Sequence, residues 1–149
     1  MSTYTAMEAC DAVIIYGTKT GVELTSLGLP VIVAGEAWIR NKGLTHDASS
    51  PEEYLRILDR LPFAGGIEPD LLARARRYAY HFFFNRMIPL PFIEPKAGYP
   101  IYRLKLERMP QLRPGESPGL DPLCEGVLSS KPFVLAHPAT TPRGAPSAP

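Results

Sequence analysis

Gly17-Thr18-Lys19-Thr20-Gly21 places two hydroxyls and one ammonium between two glycines, and a carboxylate, Glu23, follows within one helical turn. If a helix opens at this turn, its first backbone N–H groups have no partner within the helix and the positive end of its dipole points outward. A phosphate is the ligand such a turn favours. Further along, Arg40 and Lys42 stand in the loop Glu36–Gly43. Each residue also has a plainer role open to it. Threonines ahead of a helix commonly cap it, a first-turn glutamate complements the dipole with or without a ligand, and loop cations are usually solvated.

The elements around these residues decide whether they meet. Asp11-Ala12-Val13-Ile14-Ile15-Tyr16 is a nearly continuous apolar run rich in β-branched residues, as expected of a parallel strand covered on both faces. The helix after the turn is short. It should stop at Gly28, a natural C′ residue, and Pro30 restarts extended chain. Pro30–Gly35 is the expected second strand, parallel to the first, so the segment is one βαβ unit with its ligand end at the strand C-termini. The loop Glu36–Gly43 leaves that same end and should face the same cleft.

Other elements frame this unit. Ser2-Thr3 can cap a short helix through Met7 and Ala9, so the chain is expected to open mid-fold. A short strand is expected at Leu44–His46. Ser50 as N-cap, Pro51 at the first helical position and Glu53 three residues after the cap form a capping box. Tyr54, Leu55, Ile57, Leu58 and Leu61 then give a core-facing stripe. The last helix starts near Pro69-Asp70 and runs into His81-Phe82-Phe83-Phe84, with Arg74, Arg76, Arg77 and Arg86 around the aromatics and Pro89 and Pro91 ending it. No internal repeat or heptad pattern is present.

The 149 residues carry a net charge of +1, which argues against a strongly basic nucleic-acid binder. Cys10 and Cys124 lack zinc or thioredoxin spacing and read as free thiols in a reducing compartment. No signal peptide opens the chain, and no apolar stretch approaches the roughly 20 residues of a spanning helix. A cytoplasmic protein is expected, either in solution or peripherally attached on the cytoplasmic face of a membrane. The 17 prolines crowd the second half. They divide the chain into a globular part, 1–93, a Pro-rich irregular extension, 94–136, with short apolar pieces at Ile101–Leu106 and Pro132–Leu135, and a disordered tail, 137–149.

With these residues in view, DAVIIYGTKTGVELTSLGLPVIVAGEAWIRNKGLTHDASSPEEYLRIL resembles the C-terminal half of capsule polysaccharide biosynthesis proteins, which look like two-domain GT-B glycosyltransferases. The likeness covers about Ser2 to Ile93 and is strongest from Asp11 to Tyr54, where strand, hydroxyl turn, helix glutamate, Gly-x-Pro strand entry and Gly-Glu-Ala loop come in order. It implies an α/β, Rossmann-like parallel sheet with flanking helices, the nucleotide-sugar-binding half of a glycosyltransferase for capsule or surface polysaccharide. An N-terminal domain, not visible in this chain, or an oligomer partner would complete it, and the piece alone would be inactive. The partners implied are a nucleotide-sugar donor and a growing polysaccharide acceptor, with no separate cofactor. The resemblance further implies donor phosphate on Thr18, Thr20 and the N–H groups about Gly21, ribose hydroxyls on Glu23, and leaving-phosphate charge neutralised by Lys19, Arg40 and Lys42.

No catalytic residue is identified. His46 and His81 lack a Ser, Cys or Asp at a spacing that builds a nucleophile system, and His81 reads as a packed residue with locally satisfied nitrogens. Asp47 has no acidic partner, and no metal-ligand cluster is visible. Tyr78–Phe84 reads as a surface that packs on the absent domain, with peripheral membrane contact as its rival. Two other functions remain open: a non-catalytic interaction module in polysaccharide assembly or export, and an enzyme resembling sugar-nucleotide 2-epimerases or polyol-phosphate transferases. Half a fold leaves sheet edge and apolar surface unprotected, so poor solubility of the isolated chain is expected.

Overall fold

The computed structural model describes residues 3–135, so the expected tail 137–149 and the capping residue Ser2 lie outside the described residues. The fold is mixed α/β and divides into two compact units, one closing at Tyr80 and the next opening at His81. The sequence boundary at Ile93 rests on the crowding of prolines beyond it, whereas the division falls where α4 ends.

The first unit runs α1 (Thr3–Glu8), β1 (Val13–Ile15), α2 (Thr20–Leu27), β2 (Val31–Val33), β3 (His46–Asp47), α3 (Pro51–Leu58) and α4 (Pro69–Tyr80). Its sheet has the order β1-β2-β3 and is parallel throughout, with Val13 opposite Val31, Ile15 opposite Val33, and Ile32 opposite His46. Val31, Ile32 and Val33 are fully buried, as a central parallel strand requires. β1 departs from the expected two-face burial, since Ile14 is 48% exposed while Ile15 is buried. Successive strand residues point to opposite faces. α2 covers the face of Ile15, and so closely that a Cβ on Gly21 would lie 2.4 Å from Ile15 Cδ1.

α2 ends as expected at Gly28, whose φ of 97° lets its N–H and that of Leu29 reach back to the Thr25 and Leu24 carbonyls. α2 also packs against α4, whose buried residues are Ala75 and Ala79, one turn apart. Their small side chains suit close helix approach, and Arg76 Nε donates to the Ser26 carbonyl at 3.3 Å. Under β2 and β3, Ile32, Ala48 and Ile57 form a core with Tyr54, Leu58 and Phe63. Of the expected α3 stripe, Leu55 is instead 59% exposed and Leu61 lies beyond the helix, so the apolar face is narrower than its sequence.

The second unit corrects the expectation of an irregular extension. A π-helical turn, His81–Arg86, is followed by the antiparallel strands β4 (Ile93–Pro95) and β5 (Tyr102–Leu104), a 3-10 turn at Met109–Leu112 and α5 (Leu120–Ser129). The prolines fall where they cost little: Pro95 ends β4, Pro110 is in the first turn of its helix, and Pro122 is in the first turn of α5. His81, expected to be packed, is exposed, while its neighbour Phe82 is buried edge-to-face with Phe83 at 5.1 Å. Asn85 is bonded twice to Leu135, the last described residue. Its carbonyl accepts from Leu135 N at 2.7 Å, and its side chain donates to the Leu135 carbonyl at 3.2 Å. Among the described residues, no helix is long and apolar enough to cross a membrane.

Candidate functional site

The hydroxyl turn forms as the sequence suggests, but it begins by folding on itself. Thr18 Oγ1 accepts from Thr20 N at 3.3 Å and lies 3.0 Å from Thr20 Oγ1, while Val22 N donates to the Lys19 carbonyl at 2.9 Å. Lys19 occupies the N-cap position of α2 without a side-chain cap bond. Thr18 and Lys19 are exposed and Thr20 is half-buried, so the turn keeps solvent access. Glu23 is half-buried one turn into the helix. Thr18 and Thr20 are brought together just after β1, and Glu23 follows three residues on in the first turn of α2. Gly21 is buried against Ile15, and its carbonyl accepts from Thr25 Oγ1 at 2.8 Å, so its role in the structure is to let α2 approach the sheet.

An opening of about 500 Å³ in the first unit lies beside this turn along the chain, at the C-terminal ends of all three strands. Tyr16 after β1, Gly35 and Arg40 after β2, Ser49 and Ser50 after β3, and Tyr54 of α3 line it. Two close approaches shape it. A Cβ on Gly35 would lie 2.6 Å from the Tyr16 ring and 2.7 Å from the Tyr16 carbonyl, and one on Gly17 would lie 3.1 Å from the Glu36 carbonyl. The loops after β1 and β2 thus pass each other at backbone distance, and only glycine fits at Gly35.

Arg40 reaches this opening, yet its guanidinium faces inward. Nη1 donates to the carbonyls of Gly35 at 2.9 Å and Val33 at 3.4 Å, Nη2 donates to the carbonyl of Ala48, and Nε lies 3.7 Å from Glu36, whose side chain is almost wholly exposed. A planar fork of donors suits carbonyls converging from two strand ends. Asp47 fastens the same loop, accepting from Asn41 N at 2.7 Å and Thr45 Oγ1 at 2.6 Å. Lys42 is exposed and does not line the opening.

α3 also points its N-terminus at the opening, but its donors are already engaged. Ser50 Oγ accepts from Glu53 N at 3.2 Å, and the Glu53 carboxylate accepts from Ser49 N at 2.8 Å and from the Ser49 hydroxyl. The expected box is therefore present with its return bond shifted to the residue before the cap. Hydrogen bonding from the Ser49 hydroxyl holds the Glu53 carboxyl below its usual range, and bonding to its own backbone N–H does so for Glu52. With two carboxylates at its start, α3 leaves anions to the α2 side.

His46 does not line this opening. Its ring stacks on Phe63 at 4.2 Å, and its pKa is lowered from 6.5, first by burial and then by the Arg60 charge, with Asp47 opposing. Among the described residues, no group of three His, Cys, Asp or Glu side chains is placed to hold a metal ion.

Sequence reasoning singled out Thr18, Thr20, Glu23 and Arg40 but passed over Tyr16, Gly35, Ser49 and Tyr54. Tyr16 and Gly35 are the last residues of the two apolar runs, so their place at the strand C-termini was the available signal. No protein-family model, curated protein or solved structure matches the chain.

Proposed function

We propose that the first unit is the nucleotide-sugar-binding half of a glycosyltransferase of the capsule polysaccharide type, built as a Rossmann-like half of a GT-B fold. The observation that carries this reading is the opening of about 500 Å³ at the C-terminal ends of three parallel strands, next along the chain to an accessible hydroxyl turn at a helix start. Ligands of parallel α/β sheets bind at that end, and the volume falls within the usual range for small-molecule sites. The parts divide by charge. The α2 start, with Thr18, Thr20 and Lys19, suits phosphate, while the opening between Tyr16 and Tyr54, with Arg40 turned inward, suits the uncharged nucleoside or sugar. Glu23, an acceptor, suits a ribose diol.

Calorimetric titration of the full chain with UDP- and CMP-sugars tests this. Saturable binding is expected, weakened about tenfold or more by Glu23→Ala, the size of one hydrogen bond to a charged group. A folded protein with no affinity for either nucleotide class would remove the proposal. Among the described residues β1 is an edge strand, and this edge with the exposed Ile14 favours a second reading, an interaction module that pairs with another chain. In that case Glu23→Ala leaves partner capture unchanged.

A further inference from the structure

The second unit holds a smaller cleft of about 240 Å³, lined by Phe92, Lys105, Glu107, Gln111, Glu116 and Ser117. Its most telling member is Ser117, which is 4% exposed and whose hydroxyl is enclosed without a hydrogen-bond partner. Folding accounts for the backbone of Ser117 and leaves the hydroxyl over. The Ser117 carbonyl accepts from Leu120 N at 2.9 Å and Asp121 N at 3.3 Å, opening α5. Two residues on, Gly119 lies so close to Pro89 that a Cβ there would meet the Pro89 carbonyl at 1.9 Å. The segment is pinned by main chain, yet it carries a buried polar atom that alanine would spare it. Such a group is costly unless something pairs with it.

The other lining groups supply complementary chemistry. Gln111 Oε1 accepts from Glu107 N at 3.0 Å and Arg108 N at 3.1 Å, which fixes the amide and leaves its N–H2 as a donor. Glu107 and Glu116 bring acceptors. Lys105 is 3.6 Å from the Glu94 carboxylate, so its charge is already offset. Two carboxylates against one paired ammonium disfavour an anion. The volume holds roughly eight waters at about 30 Å³ each, too little for a nucleotide. Donors and acceptors side by side, with Phe92 and Pro91 as apolar wall, match a ring whose edge is hydroxyl and whose face is C–H.

We propose that this cleft binds one uncharged pyranose unit, with the Ser117 hydroxyl and Gln111 amide as donors and Glu107 and Glu116 as acceptors. The site belongs to the second unit and stands whether or not the first unit binds nucleotides.

Saturation-transfer NMR on the full chain with glucose, galactose, mannose and N-acetylglucosamine, and with inorganic phosphate as the anionic probe, tests the proposal. At least one sugar is expected to saturate while phosphate does not, and Gln111→Leu and Ser117→Ala are each expected to weaken that sugar about tenfold, one hydrogen bond's worth. Because Gln111 also clamps backbone, Ser117→Ala is the cleaner variant. Without sugar it should melt at or above the wild-type temperature, since it removes an unpaired hydroxyl. No saturation by any sugar, wild-type affinity in Ser117→Ala, competition by phosphate, or a lower melting temperature for Ser117→Ala in the absence of sugar would each overturn the proposal.

Discussion

Replacing Arg40 with methionine keeps the length and apolar stem of the side chain but removes its donors. The structure assigns this residue to holding strand ends together. Its guanidinium joins the Gly35 carbonyl at 2.9 Å to the Ala48 carbonyl across the top of the sheet, with a longer contact to Val33. A hydrogen bond with a charged partner is worth about 1.5–3 kcal/mol. Ala48 is buried and Gly35 is half-buried, so the first bond merits its full value and the second a reduced one. The Glu36 pair adds little, because that carboxylate is in water. The loss is therefore about 3 kcal/mol, a large part of the roughly 5–15 kcal/mol of a typical domain. At about 4–8 °C per kcal/mol for a unit of this size, the melting temperature should fall by about 12 °C or more. Urea unfolding followed by circular dichroism should show a lower midpoint at unchanged slope. Arg40→Lys should recover little, since one ammonium does not span carbonyls on two strands. If Arg40→Met melts with the wild type and loses only nucleotide affinity, the inward clamp is refuted and Arg40 acts on a ligand.

Two further outcomes follow from the same unit. Gly35→Ala should destabilise by about 1–3 kcal/mol, because its Cβ meets the Tyr16 carbonyl at 2.7 Å and backbone cannot rotate away as a side chain would; a wild-type urea midpoint would show that the two loops do not pass at that distance. The lowered pKa of His46 means that the unfolded chain binds its proton first as pH falls, so this contribution to stability is complete above 6.5 and is lost as pH drops through the lower folded value. Urea midpoints measured from about pH 7 to about pH 5 should therefore decline, with a shallower decline in His46→Phe; equal slopes in the two proteins would show that another group is responsible.

How much was legible in the residues differs between the two units. In the first, local signals agreed with one another. The apolar runs ended at Tyr16 and Gly35, Gly28 closed the helix in the left-handed region, and Ser50 with Pro51 opened α3, all as observed. In the second, proline count suggested irregular chain. The structure instead has a hairpin and a ten-residue helix, because prolines at helix starts and strand ends forfeit few hydrogen bonds. Composition counts prolines without regard to position, and position is what matters.

Within the first unit, the order of the main elements, the parallel βαβ unit and the accessible turn Thr18–Thr20 were determined by sequence alone, since each depends on periodicity, capping and left-handed glycine within a few neighbouring residues. Tertiary structure decided the rest. It turned Arg40 from the mouth of the opening to three carbonyls, left one face of β1 open at Ile14, and enclosed the Ser117 hydroxyl with nothing to meet it. These outcomes join strand ends, loops and helices distant along the chain. What an arginine donates to, or whether a hydroxyl is satisfied, depends on which groups packing brings within about 3 Å, and local spacing does not encode that distance.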